Sequence, residues 1–418
     1  MRIASLETAV IEANFDWTIV RLEADDGTLG LGECFFAPGL SSALAEFSEL
    51  VVGSDPRDSS PLVGRLIQAS SGAGGMSGVL HNAISGIEAA LLDLNARKLG
   101  IPLYRLLGGQ YRDRIRIYAD CHGGGPLESY GPLLLRRQPS WSPSAVGKGS
   151  LWERHLDFEP DTPSAYAERA KTMVAQGFTA LKFDIDVPTP YARDEANGSV
   201  SNRELDHVVE LVRAVRDSVG ADVDIAVDCH WRYATTDALR IARALEPFGL
   251  LWLEDPVAPD NPEGLAIVSE RSGIPLATGE NLYGTRPFRD LFTTQSVAVA
   301  TPDLQKVGGL RLGQRIAECA SEYGINCAFH NISGPIGTMG SCHVAAAIPN
   351  FLVLEYHASG VPFFDSLVGR NGNPIIRDGH VELSDLPGLG IDLDLDVART
   401  FAKPGTSFFG TEVPSAAL

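Results

Sequence analysis

The sequence predicts an α/β fold, a modified (β/α)8-type TIM barrel that follows a smaller N-terminal α+β unit. Two observations in the later part of the 418-residue chain predict the barrel. Short apolar runs alternate with helical patterns at 203–219, 237–245 and 312–323, and this alternation is typical of a parallel sheet covered on both faces. The runs number eight, as a closed barrel requires, and they lie at 114–118, 180–184, 223–228, 250–255, 275–280, 297–303, 326–330 and 351–356.

The first 113 residues have a different pattern. Residues 2–13, 17–23 and 28–33 are predicted strands, and Asp26-Gly27 before the third of them is a hairpin turn signal. A helix is predicted from about residue 77 to residue 100, since apolar residues recur there at spacings of three and four and a glycine follows. We therefore predict an α+β domain over residues 1–113.

The remaining boundaries follow from where the alternation is interrupted and where it stops. The barrel is predicted to span residues 114–356. It contains a long segment at about 125–160, rich in Gly, Pro, Ser and Trp, which is typical of a lid or a binding loop. Residues 357–418 are predicted to form an irregular tail that packs back on another domain.

The composition excludes several classes of function. The formal net charge is −19 and the chain has no basic run, so binding to nucleic acid, which depends on neutralising phosphates, is not expected. The chain has no apolar run of about 18 residues and no signal-peptide pattern, so we expect no membrane span and a cytoplasmic protein. The six cysteines are far apart, without a C-x-x-C pair, and are expected to be free thiols.

Three acids at predicted strand ends suggest a metal site. Asp228, Glu254 and Glu280 stand 26 residues apart each time, which is one strand–helix unit per step. Because the C-terminal ends of barrel strands converge on the face where active sites lie, the three carboxylates would lie side by side. Carboxylate oxygens suit Mg²⁺, and we predict one Mg²⁺ here. The alternative is three unrelated acids that cap helices or pair with lysines.

Other polar residues at strand ends suggest acid–base chemistry. Lys182 and Asp184 lie two positions apart on one strand and so face the same way, either into the barrel mouth or within a buried ion pair. Asp303 and His330 end consecutive strands, and a carboxylate that holds one imidazole nitrogen raises the basicity of the ring, which makes His330 a candidate general base. His230 is either a proton donor above the site or a surface histidine.

The ordered set of motifs resembles the enolase superfamily, in the branch of mandelate racemase and muconate lactonizing enzyme. The likeness covers nearly the whole chain. Residues 86–93 are similar to the family's capping domain, so the N-terminal α+β unit is expected to be that domain, completed by the C-terminal tail. The motifs are Lys182-Phe-Asp184, Asp228-Cys-His230, Trp252-Leu-Glu254-Asp255-Pro256, Glu280-Asn281, Asp303-Leu-Gln-Lys306-Val-Gly-Gly309, His330-Asn331 and Leu354-Glu355.

The resemblance implies abstraction of the proton α to a carboxylate. The three spaced acids would hold the Mg²⁺ that binds the substrate carboxylate and stabilises the anionic intermediate; enolase-type sites are a known example of such chemistry. His330, oriented by Asp303, would be the base. Glu355, if protonated, would donate a hydrogen bond to the enolate oxygen.

One departure from the racemases of the family matters. They carry Lys-x-Lys on the second barrel strand, with the second lysine as the base on the opposite face, and this chain has Asp184 there. Lys182 is then expected to neutralise the substrate carboxylate or to take part through a lowered pKa. The Asp228-Cys-His230 motif instead resembles the acid-sugar dehydratases, in which this histidine protonates the departing 3-hydroxyl.

The lead hypothesis is a Mg²⁺-dependent dehydratase, a hydro-lyase that converts an aldonate or an aldarate to its 2-keto-3-deoxy acid. Two alternatives use the same fold, an epimerase or racemase with Lys182 and His330, and a lactone cycloisomerase; a barrel that only binds is more remote. A small acid sugar is the expected partner, and family habit implies a homo-oligomer. The residues predicted to bind substrate hydroxyls are Asp120, His122, Asp184 and Asn331.

Overall fold

The N-terminal part of the chain forms an antiparallel sheet followed by helices. A computed structural model describes residues 1–121, 129–142, 161–192, 197–369 and 373–413. Strands β1 (Ile3–Glu12), β2 (Asp16–Ala24) and β3 (Leu29–Cys34) pair in chain order. The helices that follow are α1 (Leu40–Val51), α2 (Ser59–Ser70), α3 (Gly78–Leu99) and α4 (Leu103–Leu106), with a 3-10 turn at Ser71–Ala73.

A closed ring of eight parallel strands follows, which confirms the predicted barrel. Each strand pairs with the next, and the last pairs with the first, which closes the ring. The strands are β4 (Arg114–Asp120), β5 (Ala180–Asp184), β6 (Asp224–Asp228), β7 (Trp252–Glu254), β8 (Leu276–Thr278), β9 (Val299–Ala300), β10 (Asn326–Phe329) and β11 (Phe351–Tyr356).

A helix follows each of the first seven barrel strands, and β11 leads into the C-terminal tail. Among the described residues, no helix combines the length and the apolar character that crossing a bilayer requires. The seven helices are α5 (Pro163–Ala175), α6 (Asn202–Val219), α7 (Thr235–Leu245), α8 (Pro262–Arg271), α9 (Arg286–Thr293), α10 (Leu310–Glu322) and α11 (Pro335–Ala347), with a 3-10 turn at Glu246–Phe248.

One apolar side chain from each barrel strand fills the interior of the ring. These eight plug residues are Tyr118, Ala180, Ala226, Trp252, Ala277, Val299, Ala328 and Val353. The two aromatic rings meet edge to face, with centroids 5.6 Å apart, and occupy the space that the four alanines leave. Because side chains alternate along a strand, the residue two positions beyond a plug residue faces the mouth of the barrel. This rule places six titratable residues at the mouth: Asp120, Lys182, Asp228, Glu254, His330 and Glu355.

Three strands are shorter than the sequence predicts, because residues at both ends of the predicted runs lie outside the strands. The predicted runs 250–255, 275–280 and 297–303 contain strands of only three, three and two residues. Asp255 and Gly279, just beyond two of these strands, have positive φ angles of 40° and 148°. Turns, rather than regular strand geometry, therefore direct the acids beyond these strands.

The C-terminal tail returns to the N-terminal sheet. It contains β12 (Val368–Gly369), β13 (His380–Glu382), β14 (Asp392–Leu393), α12 (Leu395–Thr400), β15 (Ser407–Phe408) and β16 (Thr411–Glu412). Strand β13 pairs with the N-terminal half of β4, and β15 pairs with β1. The five-stranded sheet, in the order β16-β15-β1-β2-β3, thus combines strands from both ends of the chain.

Two buried glutamates of the N-terminal domain cap barrel helices. Glu33 on β3 accepts two backbone N–H groups at the start of α11, at 2.6 and 2.8 Å. Glu88 on α3 accepts two at the start of α10, at 2.8 and 3.1 Å. Burial raises the pKa of each carboxyl to about 7, although the amide donors oppose this shift. Because these helices begin at the C-terminal ends of the strands, the caps hold the N-terminal domain beside the barrel mouth.

Candidate active site

The three acids predicted to hold a metal converge at the barrel mouth. Asp228 and Glu254 are the last residues of β6 and β7, and Glu280 lies two residues beyond β8. One carboxylate oxygen from each lies within 4.8 Å of the others, and all three residues are buried. The three side chains therefore face one shared space rather than different surfaces. Together they could hold one divalent cation.

A glycine explains why Glu280 belongs to this group although it lies three positions beyond its plug residue. Gly279 has a φ of 148°, which breaks the strand alternation. A Cβ at this position would lie 2.8 Å from the ring of Phe288 and 3.0 Å from the backbone nitrogen of Thr301. The turn at Gly279 therefore brings Glu280, instead of residue 279, to the other two acids.

The chemistry of the donor set fits Mg²⁺. All three donors are carboxylates, the hard oxygen ligands that this ion prefers. Glu254 Oε2 accepts the indole N–H of Trp252 at 2.9 Å, but its buried Oε1 has no hydrogen-bond partner among the described residues. Burial, together with the nearby acids Asp228 and Glu280, raises the pKa of Glu254 to about 8. A cation would supply the missing partner, so the residues present fit the ion.

Lys182 lies among these acids. Its Nζ is 3.0 Å from Asp228, 3.3 Å from Glu254 and 2.9 Å from Glu355. Burial lowers the pKa of Lys182, but the surrounding carboxylates outweigh burial and raise this pKa well above its usual range. The side chain is thus held as an ammonium, which favours the predicted role of charge neutralisation over the predicted alternative of a lowered pKa.

His330 contacts Asp303 as the sequence predicts. Nδ1 of His330 donates to Asp303 Oδ2 at 2.7 Å, so Nε2 faces the acids and lies 3.3 Å from Glu280. Burial lowers the pKa of His330, but Glu280, Glu355 and Asp303 together raise it to about 10. The ring therefore needs positive charge among these acids before it can accept a proton near neutral pH.

His230 lies beyond the end of β6 with two further acids beside it. Its Nδ1 is 3.1 Å from Asp186 Oδ1, and its backbone N–H donates to Asp228 at 3.0 Å. Burial lowers the pKa of His230, but the charges of Asp228, Asp186 and Asp184 raise it well above its usual range. Atoms of Asp184, Asp228 and His230 lie within 4.8 Å of one another. The ring is thus a charged proton donor that shares a space with Asp184.

Glu355 is held in place by Asn331. The backbone N–H of Asn331 donates to Glu355 Oε2 at 2.9 Å. The side-chain nitrogen of Asn331 donates to Thr338 Oγ1 at 2.9 Å and to the carbonyl oxygen of Glu355 at 3.1 Å. The amide donors of Asn331 are therefore engaged within the protein, which leaves its Oδ1 as the atom that could accept from a substrate hydroxyl.

Of the other two residues predicted to bind substrate, the structure describes Asp120. It ends β4, is 5% exposed and pairs in register with Lys182. His122 lies outside the described residues, as does most of the predicted loop at 125–160.

Residues 129–142 of that loop are described, and they pack on the turn between β1 and β2. The backbone N–H of Tyr130 donates to the carbonyl oxygen of Asn14 at 2.8 Å. The guanidinium of Arg137 lies 2.7 Å from Asp16. This part of the loop therefore contacts the N-terminal sheet.

Two polar residues at the mouth were not predicted. Asp186 contacts His230, and His357 lies 3.6 Å from Asp120. Each follows a predicted residue by two positions, Asp186 after Asp184 and His357 after Glu355. The alternation of side chains, extended by one more step along each strand, would have identified both.

These features define a barrel enzyme whose converging acids could hold a metal opposite a histidine–aspartate pair. Residues 6–108 match the family described as the mandelate racemase / muconate lactonizing enzyme N-terminal domain. Residues 165–397 match the family described as enolase C-terminal domain-like. The chain belongs to the mandelate racemase and muconate lactonizing enzyme branch of the enolase superfamily, which confirms the resemblance found in its motifs.

The similarity to named proteins and to a solved structure extends over nearly the whole chain. D-xylonate dehydratase of Haloferax volcanii is 38% identical over 98% of this chain and 91% of its own length. D-galactonate dehydratase of Xanthomonas oryzae pv. oryzae is 27% identical over 92% of this chain and 90% of its own. A mandelate racemase/muconate lactonizing enzyme-like protein from Rubrobacter xylanophilus has a solved structure that superposes with a TM-score of 0.88, at 40% identity over 98% of this chain and 99% of its own.

Proposed function

We propose that this protein is a Mg²⁺-dependent acid-sugar dehydratase, which removes water from an aldonate or an aldarate to give a 2-keto-3-deoxy acid. The observation that carries the proposal is the placement of two histidines on opposite sides of the acids. His330 follows β10 and His230 follows β6, and these strands are four apart in a ring of eight. A base on one side and an acid on the other suit the removal of a proton and a hydroxyl from neighbouring carbons. The names of the relatives support the same reaction.

The two histidines carry out the first two proton transfers of this reaction. Nε2 of His330 takes the proton from the carbon next to the substrate carboxylate, and the C–H electrons form an enediolate. Lys182 pairs with the substrate carboxylate, whose charge increases in this step. His230 then gives a proton to the 3-hydroxyl, the C–O bond breaks and water leaves. The resulting enol becomes the 2-keto acid by taking up a proton at the third carbon.

The remaining groups hold these residues in place. Asp303 accepts the Nδ1–H of His330 and keeps the tautomer in which Nε2 faces the substrate. Asp186 contacts Nδ1 of His230 and holds the orientation of the ring. When bound at Asp228, Glu254 and Glu280, Mg²⁺ would neutralise the acids and stabilise the negative charge that develops on the substrate.

An epimerase with bases on both faces is the second candidate, and the contacts of Lys182 disfavour it. Nζ of Lys182 lies 3.0 Å from Asp228, 3.3 Å from Glu254 and 2.9 Å from Glu355, and these three contacts suit a group that neutralises charge rather than a base. At the position where the racemases have their second lysine, this chain has Asp184. Lactone cycloisomerisation uses the same first step and is separated from dehydration by its product.

We expect a screen of sugar acids to give 2-keto-3-deoxy products with Mg²⁺ present. The screen contains mono- and diacids of five and six carbons, with D-xylonate and D-galactonate among them because of the named relatives. Formation of 2-keto acid is measured by semicarbazide absorbance, and NMR in D₂O identifies the product. An epimer or a ring-opened lactone without loss of water would contradict dehydration and support one of the isomerase alternatives.

We expect Mg²⁺ to stabilise the protein through the three acids. At 100 times its Kd, a ligand that binds only the folded state adds about 2.7 kcal/mol to the free energy of unfolding. Urea unfolding of EDTA-treated protein, with and without Mg²⁺, measures this difference. Glu254→Gln should abolish it, whereas Glu263→Gln, an exposed glutamate on the helix after the same strand, should retain it. Equal stabilisation of both variants would place the ion elsewhere.

A further inference from the structure

A polar group that the proposed proton transfers do not use lies above the acids, where the last barrel strand meets the first. Glu355 of β11 pairs in register with Tyr118 of β4. His357 and Asp120 each lie two positions further along, so alternation directs both side chains to the mouth, one layer above Glu355. The distance of 3.6 Å between His357 Nε2 and Asp120 Oδ2 agrees with this placement.

Asn14, on the turn between β1 and β2, determines which ring nitrogen of His357 carries the proton. The side-chain nitrogen of Asn14 is 3.4 Å from the carbonyl oxygen of His357, which can only accept, and 3.0 Å from Nδ1. Nδ1 therefore accepts, and the proton of the neutral ring lies on Nε2, on the side of Asp120. A separation of 3.6 Å exceeds a direct hydrogen bond, but one hydroxyl oxygen can accept from Nε2–H and donate to Asp120.

Asp120 provides an independent observation that points to a ligand. The residue is 5% exposed, and its Oδ1 has no hydrogen-bond partner within the part of the chain that the structure describes. A buried carboxylate oxygen without a donor is costly, so a donor from a ligand would be favourable. A hydroxyl supplies such a donor, whereas a second carboxylate on the substrate would bring a like charge against Asp120.

Aromatic rings line this group on the side of the N-terminal domain. The ring of Phe15 lies 5.2 Å from that of His357, and it stacks on Phe36 at 4.7 Å and on Tyr130 at 5.8 Å. Apolar faces beside a few convergent polar groups are typical of a site for a polyhydroxy carbon chain, since they exclude water and contact its C–H groups.

The geometry points to a distal subsite, formed by Asp120, His357 and Asn14, that binds the hydroxyl-bearing end of the substrate remote from its carboxylate. This inference rests on the proposed function, because it assumes that an acid sugar is bound at the metal site. Its consequence is a preference for aldonates, whose far end is neutral, over aldarates, whose far end is a second carboxylate.

The test compares the best aldonate from the screen with the aldarate of the same carbon skeleton. Asp120→Asn keeps the shape of the side chain and removes its charge. We expect the KM for the aldonate to rise about ten-fold or more, as for loss of a hydrogen bond to a charged group, with kcat within about three-fold of the wild-type value. The inhibition constant of the aldarate should fall or stay unchanged, so the preference for the aldonate decreases at least about ten-fold. Asp113→Asn, an exposed acid just before the same strand, is the matched control and should change neither constant.

A second variant separates recognition from a structural role. His357→Gln should also raise the KM for the aldonate while its kcat is retained. If the contact with the N-terminal domain were purely structural, the variant would bind the aldonate and the aldarate more weakly by the same factor, and the preference would not change. That result would overturn the subsite. An unchanged KM in Asp120→Asn would overturn it as well. Failure of the wild-type protein to dehydrate any sugar acid would overturn the proposed function and the subsite with it.

Discussion

Replacing His330 by asparagine should abolish exchange of the substrate α-proton with solvent and slow turnover by at least about 10³-fold. The reason is geometric. The ring is held by Asp303 at 2.7 Å, and its other nitrogen faces the acids that would bind the substrate carboxylate. Asparagine is neutral and can still donate to Asp303, so the change removes the base while it keeps the contact that orients the side chain.

NMR in D₂O measures exchange at the α-carbon, and 2-keto acid formation measures turnover. His380→Asn is the matched control because His380 lies on β13, which pairs with the N-terminal half of β4, away from the mouth. This control should have wild-type activity. Exchange within ten-fold of the wild-type rate in His330→Asn would mean that another residue removes the proton.

Replacing His230 by asparagine should block dehydration but leave α-proton exchange in place. We expect turnover to fall about 10²- to 10⁴-fold, the usual contribution of a positioned acid, while deuterium still enters the recovered substrate. Asparagine suits this position, because His230 has a φ of 42° and asparagine tolerates the left-handed region better than most residues. The backbone N–H that donates to Asp228 is also unchanged.

The comparison of the two rates decides the role of His230. Parallel loss of exchange and dehydration would argue that this residue is needed for proton removal or for the integrity of the acid cluster. Asp186→Asn, which weakens the partner of the ring without removing the ring, should give an intermediate loss of dehydration with normal exchange.

The barrel strands were predictable because their apolar runs are short and continuous. The runs at 180–184 and 351–356 coincide with β5 and β11. Helix α6 was also predicted to within one residue, and its capping box of Ser201 and Glu204 agrees with that boundary. No bounds were predicted for α1 and α2, whose N-caps, Gly39 and Asp58, make no side-chain hydrogen bond.

Contacts between distant segments explain what the sequence could not predict at the site. Asn14 and His357 are 343 positions apart and meet only because the tail and the N-terminal sheet close over the barrel. The ammonium of Lys182 has three carboxylate neighbours from three strands, which no local pattern specifies.

Local patterning was sufficient to identify the eight strands, the order of the acids and histidines at their ends and the family, because side-chain alternation and strand–helix spacing are properties of neighbouring residues. Only the folded chain decides the direction in which each polar group points. It also decides which partners set the charge of that group. Ring closure and the turn at Gly279 bring together groups from separate strands, and the free energy of a buried charge depends on those neighbours rather than on its position in the sequence.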